Sequence, residues 1–131
     1  MRSELNNGEA AKGQALAAAK GIATRISDKK GRDIVIIDIS GKSSFADYFV
    51  NATAGNIRML DTLETEISGS AGEFGLPEGR TEGKTGSGWI LLDFGDVIVN
   101  LFLEEQRNLY KLERIWGDCE FIEVEENARE I

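Results

Sequence analysis

Histidine is absent from this chain of 131 residues, and cysteine and proline occur once each, as Cys119 and Pro77. Without histidine, most proton-transfer and metal-ligand constellations are excluded. A lone cysteine cannot pair within the chain or build a cysteine zinc cluster, and it fits a reducing compartment. Long apolar runs are also missing, since charge interrupts each one well short of the roughly 20 residues a membrane helix needs. The opening stretch MRSELNNGEAAKG lacks the apolar core of a secretory signal, and its two glutamates argue against a transit peptide. These absences lead us to expect a cytoplasmic protein with no membrane contact.

Positive charge is scarce as well. Fifteen basic residues stand against 23 acidic ones, a net charge of -8. Nucleic-acid affinity rests largely on cations displacing counterions, so direct RNA binding is disfavoured. The same field attracts a basic protein and speeds its encounter. What is present, 41% hydrophobic residues in a chain of about one domain's length, suffices for a real core.

From 10 to 30, Leu16, Ala19, Ala23 and Ile26 recur at helical spacing, and Lys29, Lys30 and Gly31 form the expected stop. Asp33 to Ser40 follows, with Ile34, Val35, Ile36 and Ile37 continuous rather than alternating, as in a strand covered on both faces. Tyr48 to Thr53 reads as a second strand. Asn56 is placed to cap a helix carrying Ile57, Leu60, Leu63 and Ile67 on one side. Seven glycines and Pro77 fill 69–88, which reads as loop with at most a short strand near Arg80 to Glu82. WILLDFGDVIVNLFL then predicts a hairpin, Trp89 to Asp93 and Val97 to Leu103, and EEQRNLYKLERIW predicts short helical turns.

The expected fold is therefore α/β, an α+β sandwich. It has a mixed sheet of about five strands with flanking helices, in the order α-β-β-α-β-β-β plus C-terminal helical turns. We expect a flexible start over 1–9, the folded domain over 10–118, and a partly disordered acidic tail over 119–131, where five glutamates face one arginine.

Several motifs tempt a catalytic reading. GKS at 41–43 resembles part of a phosphate loop, but Ile36 stands where the earlier glycine belongs, and DYFVNAT continues as strand rather than as the helix such a loop must open. DFG at 93–95 matches a kinase magnesium motif in letters, yet the histidine of the accompanying catalytic loop has no counterpart. EGKTGSG at 82–88 leads into the strand at Trp89. The pairs Asp93 with Asp96 and Glu104 with Glu105 suit a divalent cation, simple solvation or a protein-docking surface. Trp89 and Trp116 suit either core packing or interface anchoring.

DIVIIDISGKSSFADYFVNAT, GWILLDFGDVIVNLF and EEQRNLYKLERIWGD, in this order from Leu16 to Asp118, resemble the ribosomal silencing factor family, also called Iojap. The family's strand-turn-strand pattern falls on Trp89, Asp93, Gly95 and Asp96, and its closing pattern on Glu105, Arg107, Tyr110, Leu112, Glu113 and Trp116. The resemblance implies a nucleotidyltransferase-like fold without the paired metal-binding aspartates of such enzymes, so no catalytic, cofactor or metal residue is assigned. It implies a protein that binds the large ribosomal subunit through its protein uL14, blocks joining of the small subunit and represses translation. The partner-binding candidates are Trp89, Asp93, Asp96, Glu104, Glu105, Tyr110, Leu112 and Trp116. Two positions depart from the family's usual pattern, Asn100 for a histidine and Ala54 for a glycine. The rival reading is a nucleotide-binding or nucleotidyltransferase-like enzyme, and a homodimer of the free protein stays open.

Overall fold

The computed structural model describes residues 2–124, with side chains from residue 10 onward and Thr85 excepted. The first helix, α1 (Arg2–Asp28), begins earlier than the sequence stripe suggests and buries Ala15, Ala18, Ala19, Ile22, Ala23 and Ile26. Small residues let it lie close to its neighbours. A Cβ on Gly21 would stand 2.5 Å from the Phe74 ring. The stop is as expected in place but not in residue. Lys30 takes the left-handed conformation (φ 75°), and the Gly31 N–H donates to the Ile26 carbonyl at 2.8 Å.

Strand β1 (Arg32–Asp38) runs into a corner closed by the Ile39 N–H on the Asp47 carbonyl, 2.9 Å, and by the Lys42 and Ser43 N–H groups on the Ile39 carbonyl. Strand β2 (Tyr48–Ala54) returns antiparallel to β1. GKS thus sits in a strand-to-strand connection, with no helix behind it. Helix α2 (Ile57–Ser68) opens on the predicted cap, the Met59 N–H donating to Asn56 Oδ1 at 2.8 Å, and buries Leu60, Leu63 and Ile67. Ile57, the fourth residue of the proposed stripe, stays exposed.

A 3-10 turn at Ala71–Phe74 and the short strand β3 (Arg80–Glu82) lead to the hairpin of β4 (Trp89–Asp93) and β5 (Val97–Leu103). Gly95, at φ 90°, makes the tight turn, and its N–H donates to Asp93 Oδ1 at 2.9 Å. Two short helices follow, α3 (Glu104–Tyr110) and α4 (Leu112–Ile115), hinged at Lys111 in the left-handed region (φ 48°). The chain then forms β6 (Glu120–Glu123).

The strands join in one sheet in the order β3-β4-β5-β2-β1-β6, mixed because β2 and β5 are parallel and the other pairs antiparallel. Six strands replace the expected five. The sixth was hidden because its glutamates look like a solvated tail, yet an edge strand tolerates charge that would destabilise a central one. Phe121 pairs with Ile37 and Ile122 with Ile36, so residues 120–123 belong to the sheet, while 125–131 lie outside the described residues.

Side chains alternate between two sheet faces. One carries Ile36, Val50, Ala52, Ile90, Leu92, Val99 and Leu101 into the core beneath α1 and α2. The other carries Ile37, Phe49 and Ile98, with Leu91, Leu112 and Trp116 packed against them. Arg25 joins α1 to the rest of its layer, reaching Glu66 Oε2 at 3.3 Å and Glu73 Oε2 at 2.6 Å.

Candidate docking face

The second sheet face is only partly roofed by α3 and α4, and this decides which side chains reach the surface. Trp89, on β4, lies flat against Phe102 (ring centroids 5.2 Å apart) and 4.9 Å from the ring of Tyr110 on α3. Around the two rings Glu82, Gly83, Ser87 and Leu91 line an open hollow of about 300 Å³. Trp116 lies further along the same face, edge-on to Phe49 at 5.5 Å and to Phe45 at 6.5 Å, with Leu112 beside the same apolar cluster. The tryptophans therefore serve both readings at once, each half-buried against the sheet and half displayed.

Two neighbouring turns hold more apolar surface than they can bury. Leu109 is 68% exposed, Ile115 63% and Tyr110 51%, and Phe45 reaches 60% on the corner beside Trp116. Leu109, Ile115 and Phe45 are not among the binding candidates that the sequence pattern names. The signal was present in NLYKLERIW, where five of nine residues are large and apolar although a helix this short hides only one narrow stripe.

The four acidic candidates do not gather at one point. Asp93 pairs with Arg80 across β3 and β4 at 3.6 Å. Glu104 pairs with Arg32 at 2.9 Å, while Glu105 is exposed and forms no ion pair among the described residues. Asp96 sits in the hairpin turn, where its carbonyl accepts from the Asp47 and Tyr48 N–H groups at 2.9 and 3.1 Å. Its carboxylate lies near that of Asp47, whose pKa is pushed up by burial and by this like charge. Close by, burial alone would raise Asp38 too, but the hydroxyl and N–H of Ser40 and the ammonium of Lys12 outweigh it and hold the carboxyl below its usual range.

Beneath α3 and α4 lies a chain of polar contacts. Trp89 Nε1 donates to Asn100 Oδ1 at 3.0 Å, Asn100 Nδ2 to Asn51 Oδ1 at 3.0 Å, and Asn51 Nδ2 to Glu113 Oε2 at 3.0 Å. Arg107 closes the chain on the same Glu113 oxygen at 2.8 Å, and its other terminal nitrogen donates to the Asp33 carbonyl at 2.7 Å and to Thr53 Oγ1 at 2.9 Å.

This arrangement is that of an α/β domain whose helix-backed sheet leaves aromatic and aliphatic side chains standing out on its opposite face. The family of the ribosomal silencing factor during starvation matches residues 12–131, and the chain belongs to that family. It is 33% identical over 103 residues to the ribosomal silencing factor RsfS of Bacillus subtilis, covering 79% of this chain and 87% of that one. With the chloroplastic protein Iojap of Arabidopsis thaliana it shares 32% over 117 residues, 85% of this chain and 46% of the plant protein. The crystal structure of a Chromobacterium violaceum protein superposes with a TM-score of 0.68 at 30% identity, over 76% of this chain and 83% of that one. The Bacillus and Arabidopsis relatives are named as a silencing factor and as Iojap, and neither name denotes an enzyme.

Proposed function

We propose that this protein docks on the large ribosomal subunit through the protein uL14, prevents the small subunit from joining, and so represses translation when nutrients fall. Family membership supports a ribosomal target. The observation that carries the docking reading is the exposure of Leu109, Tyr110 and Ile115 beside the half-buried Trp89, Leu112 and Trp116. Large apolar side chains concentrated on one face mark a contact surface, and aromatic residues are the usual energetic anchors of one. Of the acidic candidates Asp93, Asp96, Glu104 and Glu105, Glu105 is the one with neither an ion pair among the described residues nor a place in the hairpin turn, and with the net charge of -8 it suits a basic partner.

Occupancy is all the mechanism requires. A domain of this length has a radius of gyration of about 14 Å and hence a body roughly 35 Å across. Subunit faces must approach within a few ångström, so a body of that size acts as a wedge. Micromolar affinity corresponds to about -8 kcal/mol, within reach of two or three anchors worth roughly 2 kcal/mol each plus a charged rim. No helix among the described residues is long and apolar enough to cross a membrane.

The test is a sucrose-gradient joining assay with purified subunits. Protein in excess is expected to co-sediment with large but not small subunits and to reduce the whole-ribosome peak. Whole ribosomes forming at their usual level would overturn the proposal.

A further inference from the structure

Asn51 and Asn100 are fully buried polar side chains on adjacent, directly paired positions of β2 and β5. Each amide has an oxygen that accepts and a nitrogen that donates, so either could be turned two ways in isolation. The ends of the chain they belong to remove that freedom. The Trp89 indole N–H can only donate, which obliges Asn100 to present its oxygen and send its NH2 towards Asn51. The Glu113 carboxylate, with Arg107 on it, can only accept, which obliges Asn51 to present its NH2 and turn its oxygen back to Asn100. All three bonds point one way. A donor at the Glu113 end would leave two donors facing each other somewhere along the line, and an unsatisfied buried polar group is costly.

We propose that Asn51, Asn100 and Glu113 are positioning residues for the docking face. They fix the Trp89 indole, and with it the hollow shared with Tyr110, to the setting of α4, which carries Ile115 and leads into Trp116. The anchors at either end of the face then act as one rigid unit although they do not touch. This inference rests on the docking reading above. It adds that recognition depends on a buried line of amides the partner never meets.

The experiment follows the Trp89 indole N–H resonance in the free protein and, in parallel, affinity for purified large subunits. The two indoles are told apart with Trp116→Phe. Glu113→Lys turns the acceptor end into a donor, while Glu113→Gln keeps an acceptor oxygen. The lysine variant is expected to move the Trp89 resonance and weaken subunit binding about ten-fold, the size of one lost buried hydrogen bond. The glutamine variant should keep the resonance near its wild-type position. In a Trp89→Phe background, which has no indole donor to misplace, Glu113→Lys should change affinity less than about two-fold, since contacting groups fail to be additive only when they are coupled. An unmoved resonance in Glu113→Lys, or an equal loss of affinity in both backgrounds, would overturn the inference. Wild-type protein that binds no large subunit would end the docking reading and this role with it, while the resonance would still report whether the line of amides couples its two ends.

Discussion

Arg32 holds Glu104 in an ion pair, Nη2 to Oε1 at 2.9 Å, while the adjacent Glu105 stands free of any ion pair among the described residues. Both partners of the pair are largely exposed, so the bond adds little to stability, but it occupies Glu104 before any partner arrives. The two neighbours should thus behave differently. Glu105→Lys is expected to slow association with the large subunit several-fold at low salt and to matter little at high salt, because rim charge acts through steering. Glu104→Lys should give the smaller effect, since Arg32 already offsets its charge. Stopped-flow association at two ionic strengths checks this, and equal on-rates for wild type and Glu105→Lys under both conditions would remove Glu105 from the contact.

Exposure separates docking from folding. Leu109→Ala and Ile115→Ala remove side chains that are mostly in water already, so denaturant midpoints should correspond to changes within about 0.5 kcal/mol. Affinity for large subunits should fall by at least five-fold in each. Trp89→Ala is expected to lose both, because the indole is stacked on Phe102 and its departure strands the Asn100 oxygen. A stability loss of about 2 kcal/mol is anticipated, with circular dichroism still native. Wild-type binding by the two exposed-residue variants would move the contact elsewhere.

Asp38 and Asp47 should respond to acid in opposite senses. The folded pKa of Asp38 is depressed, so its contribution is present above the unfolded value of about 3.9 and disappears as pH falls through the folded value. Asp38→Asn should therefore cost about 1 kcal/mol at pH 7, and this cost should shrink as pH falls below about 3.9 and through the folded pKa. The folded pKa of Asp47 is raised, so its protonated form favours folding below about pH 3.9 and that benefit is lost as pH rises. Asp47→Asn should be neutral near pH 3 and stabilising at pH 7. Urea melts at the two pH values distinguish the outcomes, and parallel pH profiles for the two variants would contradict the assignment.

A nucleotide enzyme would gain stability from its ligand by mass action. With the GKS segment in a strand connection and EGKTGSG leading into β4, ATP with magnesium is expected to leave the melting temperature unchanged within a degree. A rise of several degrees that grows with ATP concentration would revive the enzymatic reading.

Much of this fold can be read from the residues because local and global signals agree. Ile34 to Ile37 form an interior strand, Asn56 caps α2, and the bounds of β4 and β5 fall where alternation and the Gly95 turn put them. The sixth strand cannot be read so, because pairing with β1 is settled by residues far away in sequence and its own glutamates argue for solvent. The candidate face is legible in part for the same reason. Trp89 and Tyr110 do meet, as do Leu112 and Trp116 with one apolar cluster, but the acidic candidates are dispersed by strand register and claimed by Arg80 and Arg32. Nothing in the one-dimensional pattern announces that Asn51 and Asn100 will lie side by side. That follows only from the parallel pairing of β2 and β5.

The placement of α3, α4 and β6 after the fifth strand has an implication for synthesis. A nascent chain that has emerged only as far as Leu103 already holds the residues of the helix-backed layer, yet it has neither Tyr110 nor Trp116, and β1 still lacks its outer neighbour. On the proposed docking reading, Tyr110, Leu112 and Trp116 join Trp89 only after the central strands have been made, so unfinished copies are born mute.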